Sequence, residues 1–305
     1  MNFDQIESFY LIARLGTFAQ AAQKLNTTQP AISARVASLE NQLGVKLFDR
    51  AGQRATLTPE GRRFLRSAEK LLDIQSEILT ETGHSQLSGV LRIGVSDTMA
   101  MTWVPGFLAG LRQRYADLIL ELSIGPSFGI RDGLLRRDLD VGFMVGPVSD
   151  PHIVNHVLCD CPIVMAAPPS MGLGGKRISR EALQQLNLVT FERVTQPYQN
   201  LLSSLRAADL SPRLHAVNSL QAVVLLACEG FGVGVLPLGT IDRELASNAL
   251  ELLDVDLELS DVRFAACYPE GPDTWPARIV TEQAIEYLCS LGSTPSLKLL
   301  CSARD

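Results

Sequence analysis

GTFAQAAQKLNTTQPAISARVASLENQLGVKLF, residues 16–48, is the stretch that decides the fold of the N-terminal part of the chain. Its apolar residues recur at helical spacing in two runs: Phe18, Ala21, Ala22 and Leu25, then Ile32, Val36, Leu39 and Leu43. The pattern breaks between the runs, and Thr28 is well suited to begin the second helix because its hydroxyl accepts from a backbone N–H of the first turn. Pro30 fits that turn because it has no N–H to satisfy. The stretch therefore predicts two helices joined by a tight turn.

The exposed N-terminal side of the second predicted helix suits contact with DNA. The residues expected to contact DNA there are Thr28, Gln29, Pro30, Ser33 and Arg35. In a helix-turn-helix the second helix enters the major groove, where glutamine pairs with adenine, arginine binds guanine or a phosphate, and serine serves either partner. The alternative is an ordinary helical hairpin whose polar face is only solvated.

Two further elements are predicted on either side of this stretch. Phe3, Ile6, Phe9 and Ala13 recur at helical spacing and predict a first helix over about residues 2–14. Residues 46–57 alternate around a glycine turn, as in a two-stranded hairpin or wing. Arg50, Gln53 and Arg54 at its tip suit phosphate or minor-groove contact, and simple solvation of the hairpin is the alternative.

A long helix is predicted from Thr58-Pro59-Glu60 to about Thr82. Two sets of apolar residues within it are each spaced seven apart: Leu65, Leu72 and Leu79, and Phe64, Leu71 and Ile78. This spacing is typical of a coiled-coil seam and predicts pairing with a second copy of the chain. Packing onto its own chain is the alternative. Residues 83–89 form a short polar linker.

Residues 90–291 alternate between apolar runs suited to buried strands and helical stretches. This alternation predicts parallel, helix-covered sheets. A crossing into a second lobe is expected near residues 160–162, and the last strand and helix return to the first lobe.

Composition bounds the function. The net charge is −6, but residues 1–82 carry ten basic and nine acidic side chains, whereas the remainder carries 17 and 24. The basic excess therefore lies with the predicted helix-turn-helix, which supports nucleic-acid binding. The sequence contains no apolar stretch long enough to span a membrane and begins with no signal peptide, so we expect a cytoplasmic protein.

Three segments resemble the LysR-type transcriptional regulator family. They are FYLIARLGTFAQAAQKLNTTQPAISARVASLENQLGVKLFDRAGQRATLTPEG (residues 9–61), GVLRIGVS (89–96) and VNSLQAVVLLACEGFGVGVLPL (217–238). The resemblance implies a winged helix-turn-helix, a dimerising linker helix and a two-lobed α/β effector domain shaped like a periplasmic binding protein. Family members read DNA with the Gln-Pro pair and the serine that open the recognition helix, here Gln29, Pro30 and Ser33. Many members follow that serine with arginine, and this chain departs from them by placing Ala34 before Arg35.

The resemblance implies the following domains and partners. We expect a DNA-binding domain over residues 1–58, a linker and dimerisation helix over 59–87, and an effector-binding domain over 88–305. Within the last, lobe I would comprise about 88–161 and 267–305, and lobe II about 162–266. The expected partners are double-stranded DNA, a small-molecule effector, a second copy bound through the linker helix, a homotetramer and RNA polymerase. No enzymatic activity, cofactor, metal or membrane contact is expected.

Ligands of such two-lobed domains bind between the lobes, beyond the carboxyl ends of the strands and at the starts of helices. The residues expected there are Ser96, Asp97, Thr98, Met99, Ser127, Phe128, Gly146, Thr190, Phe191, Tyr198, Asn218 and Ser219. Few arginines and several aromatics lie among them, which indicates an uncharged or partly apolar effector. The Asp97 carboxylate would repel an anion. The alternative is that many of the hydroxyl and amide side chains only cap helices.

One cysteine-containing segment leaves an alternative function open. His152, His156, Cys159 and Cys161 form an H-x3-H-x2-C-x-C run. The segment alternates like a strand, which turns the histidines and cysteines away from a common tetrahedral site. A redox- or metal-responsive regulator that uses Cys159 and Cys161 is the alternative to control by a small molecule. The six cysteines do not indicate a disulfide framework in a cytosolic chain.

Overall fold

The computed structural model describes residues 1–49, 55–81, 87, 89–271 and 274–300. The chain divides into two compact units, residues 1–86 with 271–275 and residues 87–270 with 276–305. No helix within the described ranges is both long and apolar enough to cross a membrane.

The N-terminal unit is mostly helical. Its elements are α1 (Phe3–Leu15), α2 (Phe18–Lys24), α3 (Gln29–Leu43), β1 (Phe48–Asp49), β2 (Thr56–Leu57) and α4 (Pro59–Glu81). Each helix begins at a polar cap: the side chains of Asn2, Thr17, Thr28 and Thr58 accept from backbone N–H groups of the first turns of α1, α2, α3 and α4. Gly44 ends α3 in the left-handed conformation that glycine adopts without strain.

The core of this unit lies between α1, α3 and the start of α4. Phe9 is buried, with its ring centroid 5.2 Å from that of Phe48 and 5.0 Å from that of Phe64. Ala68 and Leu72 of α4 are also buried in this cluster. The first half of the predicted dimer seam, up to Leu72, therefore packs into the core of its own chain. This corrects the expectation that the whole seam faces a second copy. The same heptad spacing serves either kind of packing. The side chains of Ile78 and Leu79 lie outside what the structure describes.

A buried carboxylate joins the end of α3 to the wing. Glu40 is 2% exposed, and its Oε1 accepts from the backbone N–H groups of Leu47 at 2.9 Å and Phe48 at 3.3 Å. Lys46 Nζ donates to Oε2 at 2.8 Å. Burial alone would raise the pKa of Glu40, but these three donors outweigh it and lower the pKa below its ordinary value. The bonds fix β1 against α3.

The residue that caps α4, Thr58, is also bonded to the wing. The Thr58 N–H donates to the Leu47 carbonyl at 3.0 Å, and the Thr58 hydroxyl donates to the Lys46 carbonyl at 2.7 Å. A Cβ on Gly61 would lie 2.1 Å from the Leu47 carbonyl oxygen, so only glycine allows this close approach.

The second unit contains two lobes, each built on one sheet. The described strands of lobe I are β3 (Gly89–Val95), β4 (Leu118–Ile124), β5 (Val141–Val145), β6 (Ile153–Cys161), β12 (Val262–Pro269) and β13 (Lys298–Leu299). Those of lobe II are β7 (Ile163–Ala167), β8 (Asn187–Phe191), β9 (Arg213–Val217), β10 (Val233–Pro237) and β11 (Glu251–Leu252). The strand order is β13-β6-β12-β5-β3-β4 in lobe I and β11-β7-β10-β8-β9 in lobe II.

Helices connect most of these strands. The first three of the second unit are α5 (Asp97–Met101), α6 (Val104–Arg114) and α7 (Ser127–Leu135). The next five are α8 (Arg180–Leu183), α9 (Gln196–Ala207), α10 (Leu220–Cys228), α11 (Asp242–Ala246) and α12 (Trp275–Leu291). A fully buried apolar layer that includes Val189, Val223 and Leu236 lies between α10 and its sheet.

The sheets are mixed, which corrects the expectation of wholly parallel sheets. β3 pairs in parallel with β4 and β5, and β8 pairs in parallel with β9 and β10. The strands that bring the chain into each lobe, β7 and β12, are antiparallel to the strands beside them. Two neighbouring parallel strands need a crossover connection between them, usually a helix. β7 and β12 are each reached from the other lobe, so no such connection within the same lobe precedes them.

The crossing between the lobes occurs at two points. β6 of lobe I continues through Pro162 into β7 of lobe II. The return differs slightly from the prediction, because β12 already pairs with β6 at Val262. Lobe I therefore resumes at Val262 instead of near residue 267.

Candidate functional site

The start of α3 presents a polar edge on the N-terminal unit. Ile32, Val36 and Leu39 are fully buried, whereas Thr28, Gln29 and Pro30 are exposed and Ser33 is half-buried. The Thr28 hydroxyl accepts from the Ala31 N–H at 3.4 Å, which begins the helix at the predicted residue. Gln29, Pro30 and Ser33 therefore lie together on the accessible side of the first turns.

Arg35 does not lie on this edge. Its Nη2 is 3.7 Å from Asp4 Oδ2 at the start of α1, and Arg35 is half-buried. Residues two apart on a helix point in nearly opposite directions, about 200° around the axis, so Arg35 and Ser33 face different sides. This corrects the expectation that Arg35 shares the exposed side with Gln29. Ala34, the position at which many family members carry arginine, is exposed.

The wing has the predicted strands. β1 and β2 are antiparallel, with Phe48 opposite Leu57 and Asp49 opposite Thr56. Arg50, Gln53 and Arg54 lie outside the described residues. Their expected contact with phosphates or the minor groove stays a prediction.

A cleft of about 510 Å³ lies between the two lobes of the second unit. It is lined by residues that follow the carboxyl ends of β3, β4 and β5 in lobe I and of β8 and β9 in lobe II. This is the position at which open parallel sheets bind ligands. Phe264 of β12 and the side chains of Phe128 and Phe191 supply apolar surface.

Seven of the predicted effector-site residues line this cleft. They are Ser96, Asp97, Thr98, Ser127, Phe128, Phe191 and Asn218. Asp97 is half-buried, and this burial raises the pKa of its carboxyl group. The Ser127 hydroxyl already accepts from the Val145 N–H at 3.0 Å. The Ser96 hydroxyl is buried, and no described group bonds to it.

The other five predicted residues do not line the cleft. Met99 is fully buried, and its sulfur accepts from Trp103 Nε1 at 3.1 Å. Thr190 is fully buried and donates to the Val235 carbonyl at 2.9 Å. The remaining three are Gly146, Tyr198 and Ser219.

Each of these three has a structural reason for its position. Tyr198 is on the buried side of α9, and Ser219 caps α10 by accepting from the Ala222 N–H. A Cβ on Gly146 would lie 3.0 Å from Ala265, so Gly146 packs against β12, and it is the following Pro147 that reaches the cleft.

Several further residues line the cleft that the sequence did not predict, including the charged residues Arg131, Asp150 and Glu192. Arg131 is one helical turn beyond Ser127, and Glu192 immediately follows Phe191. Both positions could have been inferred from the sequence. Ligands bind beyond the carboxyl ends of strands, and Arg131 lies one helical turn, and Glu192 one residue, beyond a position already predicted there. Arg131 Nε and Nη2 donate to Asp132 Oδ1 at 3.0 and 2.8 Å.

Cys159 and Cys161 are buried in β6, at 0% and 1% exposure. A thiol responds to oxidants through its thiolate, which requires access and a favourable electrostatic environment. Burial therefore disfavours the redox alternative. Among the described residues, no three His, Cys, Asp or Glu side chains are grouped so that they could hold a metal ion.

Comparisons with known proteins match both units. Residues 3–62 match the family described as bacterial regulatory helix-turn-helix protein, lysR family, and residues 84–284 match the LysR substrate binding domain. The HTH-type transcriptional regulator GltR of Bacillus subtilis (strain 168) is 30% identical over 243 residues, which cover 79% of this chain and 81% of GltR. A probable hydrogen peroxide-inducible genes activator of Streptomyces viridosporus is 31% identical over 245 residues, covering 79% and 78% of the two chains.

Solved structures share the fold over almost the whole chain. A full-length OxyR variant from Pseudomonas aeruginosa has a TM-score of 0.62 at 22% identity, with 94% of each chain covered. Full-length BenM has a TM-score of 0.56 at 21% identity, with 97% of this chain and 99% of BenM covered. Together, the matched helix-turn-helix, the matched substrate-binding domain and the cleft at the strand ends show that the chain belongs to the LysR family of DNA-binding transcriptional regulators.

Proposed function

We propose that this regulator reads duplex DNA with Gln29, Pro30 and Ser33 at the start of α3, helped by Thr28. The observation that carries the proposal is the exposure of Gln29 and Pro30 directly beside a fully buried stripe. A glutamine amide donates one hydrogen bond to adenine and accepts another, so Gln29 would supply sequence preference. Arg50, Gln53 and Arg54 of the wing would supply phosphate contacts, which hold the protein on DNA of any sequence. Arg35, which pairs with Asp4, would stabilise the N-terminal unit and would not contact bases.

A gel-shift titration on the DNA upstream of the protein's own gene tests this reading. Gln29→Ala should weaken binding to the specific site by about tenfold and leave binding to unrelated DNA nearly unchanged, since each bidentate base contact is worth about 1–3 kcal/mol. Gln113→Ala is the matched control, because Gln113 is exposed on α6 of lobe I, outside the N-terminal unit. Equal losses on specific and unrelated DNA would contradict the proposal.

The wing is tested by the dependence of binding on salt. Arg50→Ala and Arg54→Ala should each weaken binding to all sequences and lower the slope of log K against log[salt] by about one unit. An unchanged slope in both variants would show that neither arginine contacts a phosphate.

We propose further that a small molecule bound in the interlobe cleft controls DNA binding. A ligand shifts an equilibrium between two arrangements only by the ratio of its affinities for them. The size of the cleft and its position at the strand ends support this role. A thermal-shift screen of metabolites, followed by gel shifts with each hit, tests it. Hits that bind the cleft without changing DNA affinity would refute control by this site.

The domain limits and the assembly are part of the same proposal. We assign DNA binding to residues 1–58, linking and dimerisation to 59–87, and effector binding to 88–305. The homodimer would form through α4, where Ile74 is 52% exposed, and two dimers would form a tetramer on DNA. We also propose a cytoplasmic location and contact with RNA polymerase. Light scattering with and without operator DNA measures the assembly, and a monomer in both conditions would refute it.

A further inference from the structure

The interlobe cleft has an excess of negative charge. Four ionisable side chains of the described residues line it: Asp97, Arg131, Asp150 and Glu192. Three of them are carboxylates. The guanidinium, on Arg131, directs two of its N–H groups to Asp132, so part of its charge is already compensated.

Asp97 is the carboxylate best placed to bind a ligand. It is half-buried at the first position of α5, where burial raises the pKa of its carboxyl group. No basic side chain of the described ranges forms an ion pair with it. A carboxylate held partly out of water without a counter-ion gains more from a cation than a solvated one does.

The hydroxyl of Ser96 is a second, independent sign of a missing partner. Ser96 is 6% exposed and lines the same cleft beside Asp97. No described group bonds to its Oγ, and no side-chain bond from Ser96 caps α5. Buried polar groups are almost always hydrogen-bonded, and a hydroxyl oxygen accepts readily from an ammonium N–H.

Part of the remaining cleft wall is apolar. Phe128, Leu135 and Val194 are exposed large hydrophobic residues, and Val194 is 64% exposed. Phe191 and Phe264 line the same space. Exposed apolar side chains gathered in one cleft favour a ligand with an apolar body.

We propose that the cleft binds a small molecule that carries a protonated amine on an apolar body, with Asp97 as its counter-ion and Ser96 as a hydrogen-bond acceptor. This inference rests on the proposed effector role of the cleft and names the class of ligand. The opposing case is a carboxylate bound by Arg131 and the N-terminus of α7. Such a ligand would bring a fourth negative charge into a site that already has three, and two of the five N–H groups of Arg131 are already bonded to Asp132.

Three probes of the same shape decide between these cases: benzylamine, benzyl alcohol and benzoate. Each is titrated by calorimetry into the full-length protein at neutral pH, up to about 10 mM. We expect benzylamine to bind about tenfold more tightly than benzyl alcohol, and benzoate to bind most weakly. Tightest binding of benzoate, or no detectable binding of all three probes, would overturn the proposal.

Variants assign the preference to the cleft. Asp97→Asn should remove the preference for the amine over the alcohol and leave the affinity for the alcohol unchanged. Glu192→Gln, which changes a lining carboxylate on the other side of the cleft, should reduce the preference by about twofold to threefold. The control Asp138→Asn changes an exposed carboxylate outside the cleft and should have no effect. A preference for the amine that survives in both cleft variants would refute the role of these carboxylates.

Gel shifts with the same probes separate this inference from the proposed function. If benzylamine binds selectively through Asp97 but leaves DNA affinity unchanged, control by the cleft fails and the ligand class stands. If benzoate binds most tightly and changes DNA affinity, the ligand class fails and control by the cleft stands.

Discussion

Replacing Glu40 with alanine should remove the hydrogen bonds that hold the wing against α3, the recognition helix. The change removes the oxygen that accepts from the Leu47 and Phe48 N–H groups and leaves both of these buried donors without that partner. Each orphaned donor costs about 1–3 kcal/mol, and the contact with the exposed Lys46 adds about 1 kcal/mol or less. We therefore expect the N-terminal unit to lose about 3 kcal/mol or more.

Hydrogen–deuterium exchange of the full-length protein measures this loss where it occurs. At about 1.4 kcal/mol per factor of ten, amides in a peptide covering residues 44–49 should exchange about a hundredfold faster in Glu40→Ala. Glu60→Ala is the control, because Glu60 pairs only at the surface with Arg63. Unchanged exchange in Glu40→Ala would refute the assignment.

Glu40→Gln separates the backbone bonds from the ion pair. Both backbone donors share Oε1, which the glutamine amide retains, whereas the charged contact with Lys46 is lost. Since the Lys46 side chain is 69% exposed, we expect a cost of about 1 kcal/mol or less. A loss as large as that of Glu40→Ala would show that the charge, and not the backbone bonds, holds the wing.

The same carboxylate predicts a dependence of stability on pH. The pKa of Glu40 in the folded protein is lower than its ordinary value of 4.5. Its contribution is therefore complete above that ordinary value and is lost as the pH falls through the folded-state pKa. On acidification, the wild type should lose more thermal stability than the Glu40→Gln variant, as thermal unfolding at several pH values would measure. Parallel acid profiles for the two proteins would contradict the low pKa.

Three other changes test separate parts of the structure. Gly61→Ala should lower the free energy of unfolding by about 2–3 kcal/mol, because the new Cβ would lie 2.1 Å from the Leu47 carbonyl oxygen; a thermal midpoint equal to that of the wild type would contradict this contact. Thr28→Ala should cost about 0.5–1 kcal/mol and weaken DNA binding, since its capping bond is long, and Thr28→Ser should restore both in urea unfolding and gel shifts. Benzylamine binding should weaken as the pH falls through the raised pKa of Asp97, and calorimetry should find a steeper fall in the wild type than in Asp97→Asn.

The features that depend on local sequence could be predicted. Thr28 and Thr58 each precede a proline-containing first turn, and both helices begin at those residues because capping depends on neighbours along the chain. The positions of Ser96, Asp97 and Asn218 in the cleft could likewise be predicted. Each follows the carboxyl end of a strand, and in open parallel sheets these ends and the turns after them face the cleft.

The features that depend on distant packing were missed. The heptad spacing of Leu72 is the same whether the residue packs against a second copy or against its own chain. Only the structure shows that Leu72 is buried in the core of its own chain. Glu40 bonds to residues beyond a turn that the helical period does not describe. The position of Arg35 is different, because a strict count of 100° per residue separates it from Ser33 without any structure.

The close approach of Gly61 to the wing has a mechanical consequence. α4 begins in direct contact with the wing backbone, and the wing is bonded in turn to the recognition helix through Glu40. A tilt of α4 would therefore carry wing and recognition helix along together, without bending one against the other. In the proposed dimer through α4, a change in the angle between the two copies of α4 would then alter the distance between the two N-terminal units along the DNA, and the surface that each unit presents to its half-site would stay constant.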